Sequence, residues 1–90
     1  MDGTLPPVRV EAEFTVEPFV EGNPGPHVVA AVDAVRAAGL EVDMEPFGSR
    51  IEGEAAEVQR ALFAMVEAAT ANGASRVSLQ LTVVGVSPHG

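Results

Sequence analysis

The sequence predicts an α+β sandwich, a four-stranded antiparallel sheet with two helices on one face. Three observations carry this expectation. Four segments alternate apolar and polar residues with the two-residue period of a half-buried strand. Two longer segments repeat apolar residues at helical spacing, and the two kinds follow one another in the order β-α-β-β-α-β.

The first strand is residues 8–18, VRVEAEFTVEP. Val8, Val10, Ala12, Phe14 and Val16 share one face; Arg9, Glu11, Glu13, Thr15 and Glu17 share the other. Pro18 has no N–H for a sheet ladder and stops the strand. The Pro- and Gly-rich run 19–27 reads as a loop, and Pro26 suits a first helical turn, where its missing N–H has no partner to lose. From His27 to Ala38, Val28, Val32 and Val35, with Ala31 and Ala38, form a helical stripe that Gly39 ends.

Leu40, Val42 and Met44 alternate with Glu41, Asp43 and Glu45 as a second strand. Phe47, Ser49 and Ile51 alternate with Gly48, Arg50 and Glu52 as a third, joined to the second as a hairpin. Glu54 and Glu57 place negative charge at the positive dipole end of a second helix. Its stripe is Val58, Leu62, Met65 and Ala69, with Ala61 beside it, and Asn72-Gly73 closes it. The last strand is 76–84, RVSLQLTVV, with Val77, Leu79, Leu81 and Val83 inward, and 85–90 form a short tail. This order is the split βαβ pattern of ferredoxin-like folds, in which right-handed crossovers place both helices on one face. We expect a single domain over residues 1–90, with its core at about 8–84.

Composition narrows the function. A chain of 90 residues buries only about 60–65% of its unfolded surface, so oligomerisation is expected. The formal charge of −8, from thirteen acidic residues against five arginines, repels phosphate backbones and anionic membrane surfaces. With no cysteine there is no thiolate metal site, thiol catalysis or disulfide. Residues 1–7 lack the basic start and apolar run of a signal peptide, and no apolar segment approaches the length of a membrane span, which leads us to expect a cytoplasmic protein.

The outer sheet face carries Glu11, Glu13, Glu17, Glu41, Asp43, Glu45 and Glu52 against Arg9, Arg50 and Arg76. It reads either as a solvated or subunit-contacting face, or as one whose edge attracts a cation. An RNA-recognition module needs aromatic side chains here, a heavy-metal carrier needs paired cysteines, and a small phosphatase needs an arginine in the first loop; the sequence has none of these. His27, at a helix start, and His89, next to the C-terminus, are expected to be solvent histidines rather than metal ligands. No nucleophile with a histidine partner completes a catalytic set, so we expect no enzyme.

The densest chemistry lies in Glu45-Pro46-Phe47-Gly48-Ser49-Arg50-Ile51-Glu52-Gly53-Glu54: an aromatic ring, a hydroxyl, a close-approach glycine and three carboxylates. These are the parts of a pocket for a small polar heterocycle. The same run resembles the small thiamine-binding protein family. The likeness extends from Ala12-Glu13-Phe14 and Pro18, through Ala31-Val32, Gly39-Leu40, Pro46-Phe47-Gly48-Ser49 and Ile51-Glu52-Gly53-Glu54, to Gly73-Ala74-Ser75-Arg76-Val77. It implies a ferredoxin-like fold, non-catalytic binding of thiamine or its hydroxymethylpyrimidine part, and assembly into tetramers through dimers. Two positions depart from the pattern: Ser49 stands where Thr is usual, and Arg50 where an apolar β-branched residue is common.

On this resemblance the expected ligand-binding residues are Glu17, Phe19, Phe47, Gly48, Ser49 and Glu52. Phe47 either stacks on a pyrimidine or, in register with Ile51, points into the core. Phe19 lines the pocket mouth or seals the core, and Ser49 bonds an aminopyrimidine or a neighbouring carbonyl. Glu52 and Glu17, read as ending neighbouring strands, pair with a thiazolium or aminopyrimidine donor, unless Glu52 bonds the helix start instead. Gly48 and Gly53 read as backbone requirements at the hairpin and at the turn into the helix. The expectation is a homodimeric or homotetrameric binder of thiamine or its pyrimidine, with no cofactor, metal or nucleic-acid partner. Two alternatives stay open: a protein-interaction module without a small ligand, and an enzyme acting on a small heterocycle.

Overall fold

A computed structural model describes residues 7–18, 22, 24–45 and 48–86. The elements are β1 (Val8–Glu17), α1 (Pro26–Ala37), β2 (Asp43–Glu45), β3 (Gly48–Glu54), α2 (Ala55–Ala71) and β4 (Arg76–Val86). They form one antiparallel sheet in the order β2-β3-β1-β4, the ferredoxin-like arrangement the pattern predicts.

Register decides which side chains meet. Val10, Ala12 and Phe14 of β1 stand opposite Gly53, Ile51 and Ser49 of β3, and all six are buried beneath the helices. Val35 of α1 and Val58, Ala61, Leu62, Met65 and Ala69 of α2 close over them. Burying side chains the size of Ile51, Met65, Val10, Val35 and Val58 stabilises the fold by roughly 1.5–3 kcal/mol each.

The predicted stops hold. Gly39 and Gly73 adopt φ of 94° and 100° just past the two helices, a conformation in which a Cβ would be strained. Pro26 is the first residue of α1, and Glu57 lies in the first turn of α2.

Four details depart from expectation. The second strand shrinks to Asp43–Glu45, because Leu40 and Val42 pack against the core without pairing and Met44 is left 54% exposed. The last strand runs on to Val86, with an irregularity where Val10 pairs with Val83 but Arg9 pairs with Gly85. On that strand Val77 and Leu81 reach the core, whereas Leu79 and Val83 do not, since it is the sheet's edge and the helices stop short of it. Gly53 is a buried strand residue rather than a turn: a Cβ there would touch Leu40 Cδ2 at 3.4 Å and Val58 Cγ2 at 3.5 Å.

His27 departs from expectation as well. It is buried, with Nε2 2.6 Å from the Pro18 carbonyl oxygen, and is therefore not a solvent histidine. The carbonyl can only accept, so Nε2 carries the proton. His89 lies outside the described residues.

Candidate functional site

The outer face of the sheet holds a depression of about 510 Å³ at the end where β1 finishes and β3 begins. Its size falls within the range of small-molecule sites. Glu13 and Thr15 of β1, Glu45 of β2, and Ser78 and Gln80 of β4 line it with their side chains. Phe14, Ser49 and Leu79 also line it. Their parity turns their side chains toward the helices, so they meet the depression through their main chain.

Gly48 opens the floor. It shares the outer face with Thr15, and a Cβ there would lie 3.1 Å from both the Phe14 carbonyl oxygen and Thr15 Cγ2. A side chain would be crowded at this point, and with glycine there a ligand can approach the backbone instead.

Ion pairs distribute the carboxylates unevenly. Arg50 bridges Glu11 (Nη1–Oε1 3.6 Å) and Glu45 (Nη2–Oε2 3.5 Å), while Arg9 Nε lies 3.5 Å from Glu52 Oε2. All are about half-exposed, and such pairs contribute about 0–1 kcal/mol each. Their value is positional: they hold Glu11, Glu45 and Glu52 in place. Glu13 stands opposite Arg50 in register but forms no ion pair among the described residues. Its carboxylate is available to a cation in the depression.

The expected site residues divide. Gly48 and Ser49 do line the depression, although the Ser49 hydroxyl lies on the helix side. Glu52 does not: it stands opposite Glu11, beside a second hollow of about 490 Å³ that Glu41, Asp43 and Arg50 also line. Glu17 and Glu52 are not at neighbouring strand ends, because β1 and β3 are antiparallel. Glu17 lies six residues beyond Glu11, roughly 20 Å from the position facing Glu52. Phe19 and Phe47 lie outside the described residues.

Glu13, Thr15, Glu45, Ser78 and Gln80 escaped the sequence reading. Their types were legible, but their convergence depends on two registers. The available signal was Gly48, the position on the outer face of its strand that lacks a side chain.

Known proteins sharpen this picture. A family model described as thiamine-binding protein matches residues 12–84. Among solved structures, a hypothetical protein from Methanocaldococcus jannascii is similar at TM-score 0.59 and 24% identity, over 89% of this chain and 82% of its own. A domain of unknown function from Bacillus cereus aligns at TM-score 0.58 and 20% identity, over 91% and 85%. A proposed thiamine biosynthesis/salvage protein from Thermotoga maritima aligns at TM-score 0.51 and 18% identity, over 90% and 91%. At these identities the structural likeness establishes the fold. No curated protein matches the sequence.

Proposed function

The chain belongs to the thiamine-binding protein family, and from that premise we propose that it binds thiamine or its hydroxymethylpyrimidine part, without chemical turnover, as a homo-oligomer. The observation that carries this reading is the acid-lined depression over Gly48. Thiamine joins a cationic thiazolium to an aminopyrimidine. Glu13 offers the cation an uncommitted carboxylate, and Thr15, Ser78 and Gln80 offer hydroxyls and an amide to the pyrimidine's donors and acceptors. The flat main chain of three strands supplies a surface against which a ring can lie.

The lining side chains also favour binding over turnover. They are carboxylates, hydroxyls and an amide, and His27, the histidine of the described residues, holds the Pro18 carbonyl on α1. A serine with no histidine partner is read here as a hydrogen-bonding group rather than a nucleophile.

Thiamine has about 18 heavy atoms, and at ~0.3 kcal/mol per atom a dissociation constant near ~0.1 mM follows. Calorimetry with thiamine and with hydroxymethylpyrimidine tests the reading. Glu13→Gln is expected to weaken thiamine about ten- to a hundredfold, the loss of a charged hydrogen-bonding partner worth about 1.5–3 kcal/mol. Glu52→Gln, outside the depression, is expected to leave affinity unchanged. Absence of heat from the parent at millimolar ligand overturns the reading, and product formation from either compound overturns its non-catalytic half.

A further inference from the structure

On the outer face of the sheet, four carboxylates surround one guanidinium. In register, Arg50 of β3 stands directly opposite Glu13 of β1 and Asp43 of β2. Among the described residues it forms an ion pair with neither. Its two pairs run diagonally instead, to Glu11 at 3.6 Å and to Glu45 at 3.5 Å, each one outward position along its strand. Diagonal neighbours across a sheet lie within reach of a side chain as long as arginine. The choice divides the acids between the two hollows. Glu13 is left to the depression over Gly48, and Asp43 to the hollow that Arg50 itself lines.

Glu45 is the second carboxylate that lines the depression, and it stands opposite Gly48 at the floor. We propose that Arg50 is a specificity-determining residue of this site: by holding Glu45 it leaves Glu13 as the carboxylate open to a ligand, and so sets how strongly the depression prefers a cation to a neutral ring. The Glu45–Arg50 pair carries no net charge, so Glu13 and a ligand with one positive charge cancel. A second positive charge on the ligand would stay uncompensated and would meet the guanidinium's repulsion. The class selected is a polar heterocycle carrying a single positive charge. This inference rests on the thiamine-binding reading and adds to it the residue that tunes the site's charge.

Thiamine and hydroxymethylpyrimidine differ in charge and test this directly by calorimetry, on variants whose fold is checked by circular dichroism. Arg50→Met and Arg50→Gln, an apolar and a polar neutral replacement, release Glu45 to the ligand and remove a nearby cation. Each is expected to bind thiamine about fivefold more tightly, the scale of one half-exposed ion pair, and to bind the neutral pyrimidine within about twofold of the parent. Arg50→Lys keeps the charge and is expected to stay within about twofold of the parent for both compounds. The double variant Arg50→Met/Glu45→Gln replaces the whole pair with neutral side chains. It is expected to return thiamine to the parent's affinity, because the gain comes from Glu45.

A merely structural Arg50, tying β2 and β3 to β1, would move both compounds the same way. Neutral variants that weaken thiamine and the pyrimidine together therefore overturn the proposal. So do neutral variants that bind thiamine no more tightly than the parent, or a double variant that keeps the gain. An Arg50→Lys variant that behaves like Arg50→Met overturns it too, since the charge would then be irrelevant. In each of these cases the parent still binds thiamine and the thiamine reading stands. If the parent binds neither compound at millimolar concentration, the thiamine reading itself fails, and the selectivity fails with it.

Discussion

His27 opens α1 yet is only 7% exposed, because its ring spans back nine residues to the carbonyl of Pro18. One buried hydrogen bond thus ties the end of β1 to the start of the helix. Gly25, the residue before the helix, has an extended backbone that many residues adopt. Its need for glycine comes from the ring: a Cβ would lie 2.6 Å from His27 Cε1. His27→Ala removes the donor and leaves a poorly solvated carbonyl, which is expected to cost about 1–3 kcal/mol in urea unfolding. Gly25→Ala displaces the same ring and is expected to cost a similar amount. Both act on one contact, so the double variant is expected to lose clearly less than the sum of the two. Additive losses would show that the glycine does not hold the ring.

At the scale of elements, α2 is the clamp. Val58, Ala61, Met65 and Ala69 are fully buried along one side, and the opposite side carries Phe63 at 69% exposure. Helical spacing alone explains the contrast, since Phe63 lies off the stripe that meets β1 and β3. Met65→Ala is expected to destabilise by about 2–5 kcal/mol, through lost burial and the cavity left behind. Phe63→Ala is expected to change stability by no more than about 0.5 kcal/mol. Denaturant midpoints for the pair check this, and equal losses would place Phe63 in an interface of the assembled protein. The sheet divides its strands in the same way. β1 and β3 pair on both sides, while β2 and β4 are left to manage an edge each, one with charge and one with apolar side chains.

For the whole molecule the governing quantity is the charge of −8 on a small domain. Self-repulsion opposes both folding and assembly, and screening falls to about 10 Å at 0.1 M salt. Raising sodium chloride from about 20 mM to about 0.5 M is expected to raise the melting temperature and the dimer fraction, by shielding like charges over that distance. The same change is expected to weaken thiamine, whose attraction to Glu13 and its neighbours is screened, while leaving the neutral pyrimidine's affinity nearly constant. Parallel salt series for the two compounds measure this. Identical slopes would show that the carboxylates do not select the cation.

Periodicity alone set the order of elements, the helix stops at Gly39 and Gly73, and the division of β1 into an apolar and an acidic face, because these depend on neighbours three or four residues apart. The motifs around Gly48 pointed to the family for the same reason: they are local. Tertiary structure decided everything that depends on register. It set Glu52 far from Glu17, and it brought Glu13, Glu45 and Gln80 together from three strands. It also left Leu79 and Val83 bare, on a strand whose alternation reads as inward. Alternation tells which face a residue joins, but only the lateral position of a strand tells whether a helix covers that face. Pairing partners are chosen across tens of residues by the packed core, and a single sequence carries no local mark of them.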